Sequence, residues 1–102
     1  MQKKIDKTLE AQLESAEENT IFEHVIIQYK PKNAPLKTKE EFMQEQEQFY
    51  TDRQITFTSL SIIATISCAP RKNDIYALVE NPGVYFISQV GGHLNLREQE
   101  VM

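Results

Sequence analysis

Two histidines (His24 and His93), one cysteine (Cys68) and an acidic group (Glu40, Glu41, Glu45 and Glu47) are the side chains through which this chain could do chemistry. A histidine can act as a general base and a cysteine as a nucleophile, but only where a fold brings them within hydrogen-bond reach. His24 falls in TIFEHVIIQYK, 20–30, a β-branched and aromatic stretch, and reads as a sheet-surface residue rather than a base. Cys68 closes an apolar strand and reads as a small buried hydrophobe. His93 follows two glycines in VGGHL, 90–94, where a flexible tail cannot hold a catalytic geometry unaided. That pentapeptide also lacks the spacing and the basic residue of a phosphate loop. The glutamates recur at helical spacing with no histidine at a ligand spacing, the pattern of a solvated helix face. A lone cysteine excludes an internal disulfide and a thiolate zinc site. The chain therefore reads as a non-enzyme, with no cofactor and no metal.

The elements that would have to position any site come from a single small domain of 102 residues. Apolar residues make up 40% of it and charged residues 25%, which is too apolar for disorder throughout. A formal charge of −4 with no basic cluster argues against nucleic-acid and acidic-membrane partners. The opening MQKKIDKTLEAQLESAEEN lacks the apolar core of a signal peptide, and no apolar run reaches membrane-spanning length. A soluble, cytoplasmic protein is expected.

Residues 3–18 carry Ile5, Leu9 and Leu13 at fourfold spacing, with Ala16 a turn further on, and predict a helix. The stripe is narrow, so a solvated or fraying leader is expected, with docking on a partner or on the domain as the other reading. Residues 20–30 predict a strand. Thr38 and Glu41 form the sequence signature of a capping box, opening a helix to about Arg53 with Phe42, Gln46, Phe49 and Tyr50 on one side. Phe57 to Cys68 alternates like a strand and is long enough for two, turning near Leu60–Ile62 without a glycine or asparagine to mark the turn. Asn73 is the expected cap of a second helix with Ile75, Leu78 and Val79 inward. Asn81-Pro82-Gly83 stops that helix, glycine supplying a left-handed turn, and Val84 to Gln89 is the last strand.

Strand, helix, strand, strand, helix, strand is the split βαβ order, so the expected fold is α+β. It is a ferredoxin-like antiparallel sheet with two helices on one face, plus an N-terminal helix. The divisions are 1–19 for the leader helix, 20–90 for the ferredoxin-like domain and 91–102 for a flexible tail. One feature does not fit a sheet with one open side. The first strand has Val25, Ile27 and Tyr29 on one face and Phe22 and Ile26 on the other. The last strand sets Val84 and Phe86 against Tyr85 and Ile87. Two helices cover one face only, so an apolar second face is expected to meet a partner or a second copy, through Phe22, Ile26, Tyr85 and Ile87.

Residues 24–96 resemble the inhibitor-type propeptides of subtilisin-like serine proteases and the free intracellular inhibitors related to them. The carrying segments are HVIIQYK (24–30), IATI (63–66) and above all LVENPGVYFI (78–87), a helix leucine, then Asn-Pro-Gly-Val, then alternating apolar residues. The resemblance implies a chain with no catalytic residues of its own. Its sheet would pack on the protease, and Gly91, Gly92, His93, Leu94, Asn95 and Leu96 would lie in the active-site cleft as a substrate-like strand, Leu96 just before the scissile bond. Affinity in such β-augmentation comes from main-chain hydrogen bonds, and specificity from alternate side chains in pockets. The chain departs from the family in three respects. Ser88 and Gln89 stand where acidic residues are usual, the glycine or asparagine between the second and third strands is missing, and the leader helix is extra. The alternative is a non-enzymatic ferredoxin-like regulatory module that self-associates, or binds a partner, through its open sheet face.

Overall fold

The computed structural model describes residues 4–30 and 38–90, which form three helices and four strands. Helix α1, Lys7–Ser15, starts where the Asp6 carboxylate accepts the Thr8 and Leu9 amides at 3.0 and 3.2 Å. Helix α2, Lys39–Asp52, carries the expected capping box with both bonds made: Glu41 N–H to Thr38 Oγ1 and Thr38 N–H to Glu41 Oε1, each 3.1 Å. It ends in a Schellman motif. Gln54 turns left-handed at φ 60, its amide donating to Thr51 and that of Ile55 to Tyr50. Helix α3, Lys72–Val79, begins after Arg71 rather than at the expected Asn73. Its first turn is held by the Asp74 carboxylate, which accepts the Arg71 amide and the Arg53 guanidinium, both at 3.0 Å.

The strands are β1, Val25–Tyr29; β2, Phe57–Leu60; β3, Thr65–Cys68; and β4, Val84–Gln89. They form one antiparallel sheet in the order β2-β3-β1-β4, the ferredoxin-like split βαβ arrangement. The turn between β2 and β3 is a short 3₁₀ segment, Ser61–Ile63, and Ala64 takes the left-handed conformation (φ 51, ψ 49) that glycine or asparagine would usually fill. After α3, the Asn81 side chain accepts the Gly83 amide at 2.8 Å and donates to Gln46 of α2 at 3.0 Å. Gly83 is not left-handed, contrary to expectation. A Cβ there would stand 3.0 Å from Phe42 Cζ, so close approach is what requires glycine.

The core lies between the sheet and all three helices and includes Leu9, Leu13, Ile27, Met43, Tyr50, Ile66, Ile75 and Leu78. The solvated leader expected from the narrow stripe is corrected here, because Leu9 and Leu13 are fully buried. Residues 4–6 run parallel to β4 and close its outer edge, with Asp6 N–H to Ile87 O at 2.9 Å and Ile87 N–H to Lys4 O at 2.7 Å. Lys4 Nζ reaches the Asn81 carbonyl and Lys72 Nζ the Ala16 carbonyl, so α1 lies antiparallel beside α3. A helix flanking the layer needs only a narrow apolar stripe. Each buried leucine still contributes roughly 1.5–3 kcal/mol.

Two irregularities explain the two-faced strands. Gln28 pairs with Phe86 but Tyr29 with Val84, so Tyr85 is an extra residue in a β-bulge. The bulge turns both Val84 and Ile87 into the core, although a regular strand would put residues three positions apart on opposite faces. His24, at φ 60, likewise breaks the run before β1, so the buried Phe22 lies outside the strand.

Candidate functional site

The side of the sheet that no helix covers among the described residues, the helix-free side, is the candidate site. Strand register sets two rows across it: Thr58, Ser67, Ile26 and Ser88, then Leu60, Thr65, Gln28 and Phe86. The first row is hydroxyl-rich with Ile26 at its centre. The second is apolar at its ends, where Leu60 is 46% exposed and Phe86 half-buried. Tyr85 is 57% exposed, and the Lys30 ammonium sits 5.2 Å from its ring centre. Thr65 is nearly buried, its hydroxyl donating to the Ile63 carbonyl at 2.9 Å.

The four residues expected to form the sheet-face interface are divided by this geometry. Ile26 and Tyr85 belong to the helix-free side or its rim. Phe22 and Ile87 do not, being 6% and 0% exposed in the core. Ile87 is lost to the face because the bulge shifts the alternation, and Phe22 because the left-handed His24 separates it from β1. The tail residues Gly91, Gly92, His93, Leu94, Asn95 and Leu96 lie outside the described residues.

What holds the start of that tail is described. Val90 N–H donates to the His24 carbonyl at 2.9 Å, and Gln89 Nε2 to the Glu23 carbonyl at 2.9 Å. The end of β4 is thus fixed against the approach to β1, and the chain continues from the His24 end of the sheet. His24 itself is exposed and precedes β1, rather than lying within a strand as expected. Beside it an open cleft of about 440 Å³ is lined by Glu23, His24, Thr56 to Thr58 and Ser67 to Ala69. Sequence reasoning had no signal for this cleft, since three separate segments build it.

Cys68 is a buried thiol, as expected, with its Sγ 3.6 Å from the Val25 carbonyl. Burial pushes it up to about 12, so a reactive thiolate does not form near neutral pH. The acidic residues of α2 form no metal cluster with other ligand types among the described residues. Within the core, the Tyr29 and Tyr50 hydroxyls bond to each other at 2.6 Å, and burial raises both far above the ordinary phenol range. This pair ties β1 to α2 beneath the site. Among the described residues, no helix is long and apolar enough to cross a membrane. Comparison with family models, with curated proteins and with solved structures finds no match to the chain.

Proposed function

We propose that the protein is a protease-binding inhibitor, or a detached propeptide-like domain. It packs its helix-free sheet face on a subtilisin-like serine protease and presents the chain after β4 to the active-site cleft. The observation that supports this reading is the coupling of a partly apolar, helix-free face (Ile26, Leu60, Phe86) to a last strand pinned at Gln89 and Val90. A rigid sheet that aims the following segment lowers the ordering cost of binding it as an extended strand. The chain would supply no catalytic group, cofactor or metal, and its partners would include neither nucleic acid nor membrane. Ser88 and Gln89 replace the acidic residues usual in the family, so the grip at that end would rest on neutral hydrogen bonds.

The test is a progress-curve assay of subtilisin-like proteases, host enzymes included, with wild type and Leu96→Asp. Inhibition by wild type should weaken at least tenfold in the variant, because an apolar pocket would lose the leucine and receive an unpaired carboxylate. No inhibition of any enzyme tested would overturn the reading. Equal inhibition by wild type and by a chain ending at Gln89 would remove the substrate-like segment from it. Phe86→Asp, on the sheet face, separates binding by the face from binding by the tail. A module that self-associates through the face would respond to Phe86→Asp and survive removal of Gly91 to Leu96.

A further inference from the structure

The chain changes phase just before β1. Val25 pairs with Cys68 and Ile21 bridges Arg71, so four steps along this segment match three along its neighbour. The extra residue falls between the two pairs, where His24 at φ 60 takes the left-handed conformation that a bulge of this kind uses. The hydrogen bonds show the same inversion. Within β1 the odd-numbered Tyr29 donates to Ala64 on the β3 side, whereas before the bulge the even-numbered Phe22 donates to Pro70. Two consecutive carbonyls therefore turn toward the end of β4. That of His24 accepts the Val90 amide, and that of Glu23 accepts the Gln89 side chain, each at 2.9 Å.

We propose that His24 and Gln89 form a strand stop, two positioning residues that release the chain after Val90 from the sheet. Alternate residues of β4 face β1: Val90 bonds inward to His24, and Ile87 outward to residues 4–6. In a regular ladder the next inward amide, that of Gly92, would meet another carbonyl of the segment before β1. Here the bulge turns Phe22 to the other neighbour, and Gln89 Nε2 takes the Glu23 carbonyl that remains on this side. Histidine is among the few residues other than glycine that hold a positive φ at small cost, so the bulge is made without loosening the backbone. Keeping the following segment off its own sheet is useful where that segment must pair elsewhere. A strand already bonded to residues 21–23 would have to break those bonds before entering another molecule's cleft, and the loss would subtract from affinity. The destination of the segment rests on the protease reading; its release from the sheet does not.

Amide hydrogen exchange of the full chain, followed by NMR at neutral pH, tests the stop. Gln89→Leu keeps the bulk of the side chain and removes its donor. It should slow exchange at Gly91 and Gly92 at least about tenfold relative to wild type, the equivalent of about one net hydrogen bond. His24→Val penalises positive φ and should act in the same direction, whereas His24→Gly tolerates it and should match wild type. Circular dichroism confirms that each variant is folded, and Gln89→Leu, at a surface bond, decides the matter if His24→Val does not fold. Unchanged exchange in Gln89→Leu overturns the stop, as does a His24→Gly chain slowed as much as His24→Val. Against a protease that wild type inhibits, Gln89→Leu should raise the inhibition constant about tenfold, and an unchanged constant overturns the positioning role. Slowed exchange in a chain that inhibits no protease upholds the stop and refutes the protease reading alone.

Discussion

Replacing Tyr29 and Tyr50 by phenylalanine, singly and together, probes the most specific contact in the core. The two hydroxyls lie 2.6 Å apart, with Tyr29 6% and Tyr50 0% exposed. Their rings are held independently of the hydroxyls, Tyr29 edge-on to Phe42 at 6.0 Å and Tyr50 against Phe57 at 5.2 Å. Each single change deletes one oxygen, keeps the ring and strands the other hydroxyl away from water. Stranding costs about 1–3 kcal/mol, whereas removing both partners is close to neutral. Tyr29→Phe and Tyr50→Phe should each destabilise by that amount. The double variant should come within about 1 kcal/mol of wild type, instead of the roughly 2–6 kcal/mol that independent effects would sum to. Urea unfolding at neutral pH with a common slope measures all four corners of the cycle. A double variant whose loss equals the sum of the singles would show that the two hydroxyls do not satisfy each other.

Three further outcomes are expected. Leu9→Ala should cost about 2–5 kcal/mol in the same assay, because its side chain is fully buried; a change under about 0.5 kcal/mol would return α1 to the solvent. Gln54→Gly should stabilise by about 0.5–1 kcal/mol, since Gln54 is exposed and holds the left-handed position of the α2 Schellman motif, and a loss of stability would refute that account. Stability should also fall at alkaline pH. The folded state keeps the Cys68 proton to about 12 while the unfolded chain releases it near 9.0, so the contribution is complete below 9 and declines as pH rises toward 12. At about pH 10.5 the loss from this group is roughly 2 kcal/mol, and Cys68→Ala should flatten the decline by that amount. An unchanged decline would mean the thiol is not the group that holds the proton.

Local chemistry was the legible part of the sequence. Thr38 and Glu41 announced α2, Asn81-Pro82-Gly83 ended α3, and the split of 57–68 into two strands was readable from its length. The devices that were missed all break a period or borrow from elsewhere. The bulge at Tyr85 and the left-handed His24 shift alternation by one residue, which is how Ile87 and Phe22 were assigned to the open face. Ala64 performs a turn that its residue type does not advertise. Asp74 caps α3 from inside the first turn, so Asn73 took its place in a reading that looks only before the helix. Two leucines on α1 were too few to signal burial, because the sequence does not show that α3 and β4 wait beside them. The candidate face was half legible for the same reason: Ile26 lies in β1, where the period held, Tyr85 is exposed as the extra residue of the bulge, and the cleft at His24 depends on three segments meeting.

The closing of β4 by residues 4–6 has a consequence for how the molecule is made. Ile5 bridges Ile87, so the first described segment completes its hydrogen bonds only once β4, the last described strand, has been made. Until then Leu9 and Leu13 have no finished surface to dock on, and β1 lacks one of its two neighbours. Folding cannot proceed element by element behind the elongating chain. It must condense late, around pairings of high sequence separation, which is a slow class of transition that leaves apolar surface exposed in the meantime. Chains cut short before Val84 should therefore accumulate as aggregation-prone, protease-sensitive species rather than as a smaller folded core.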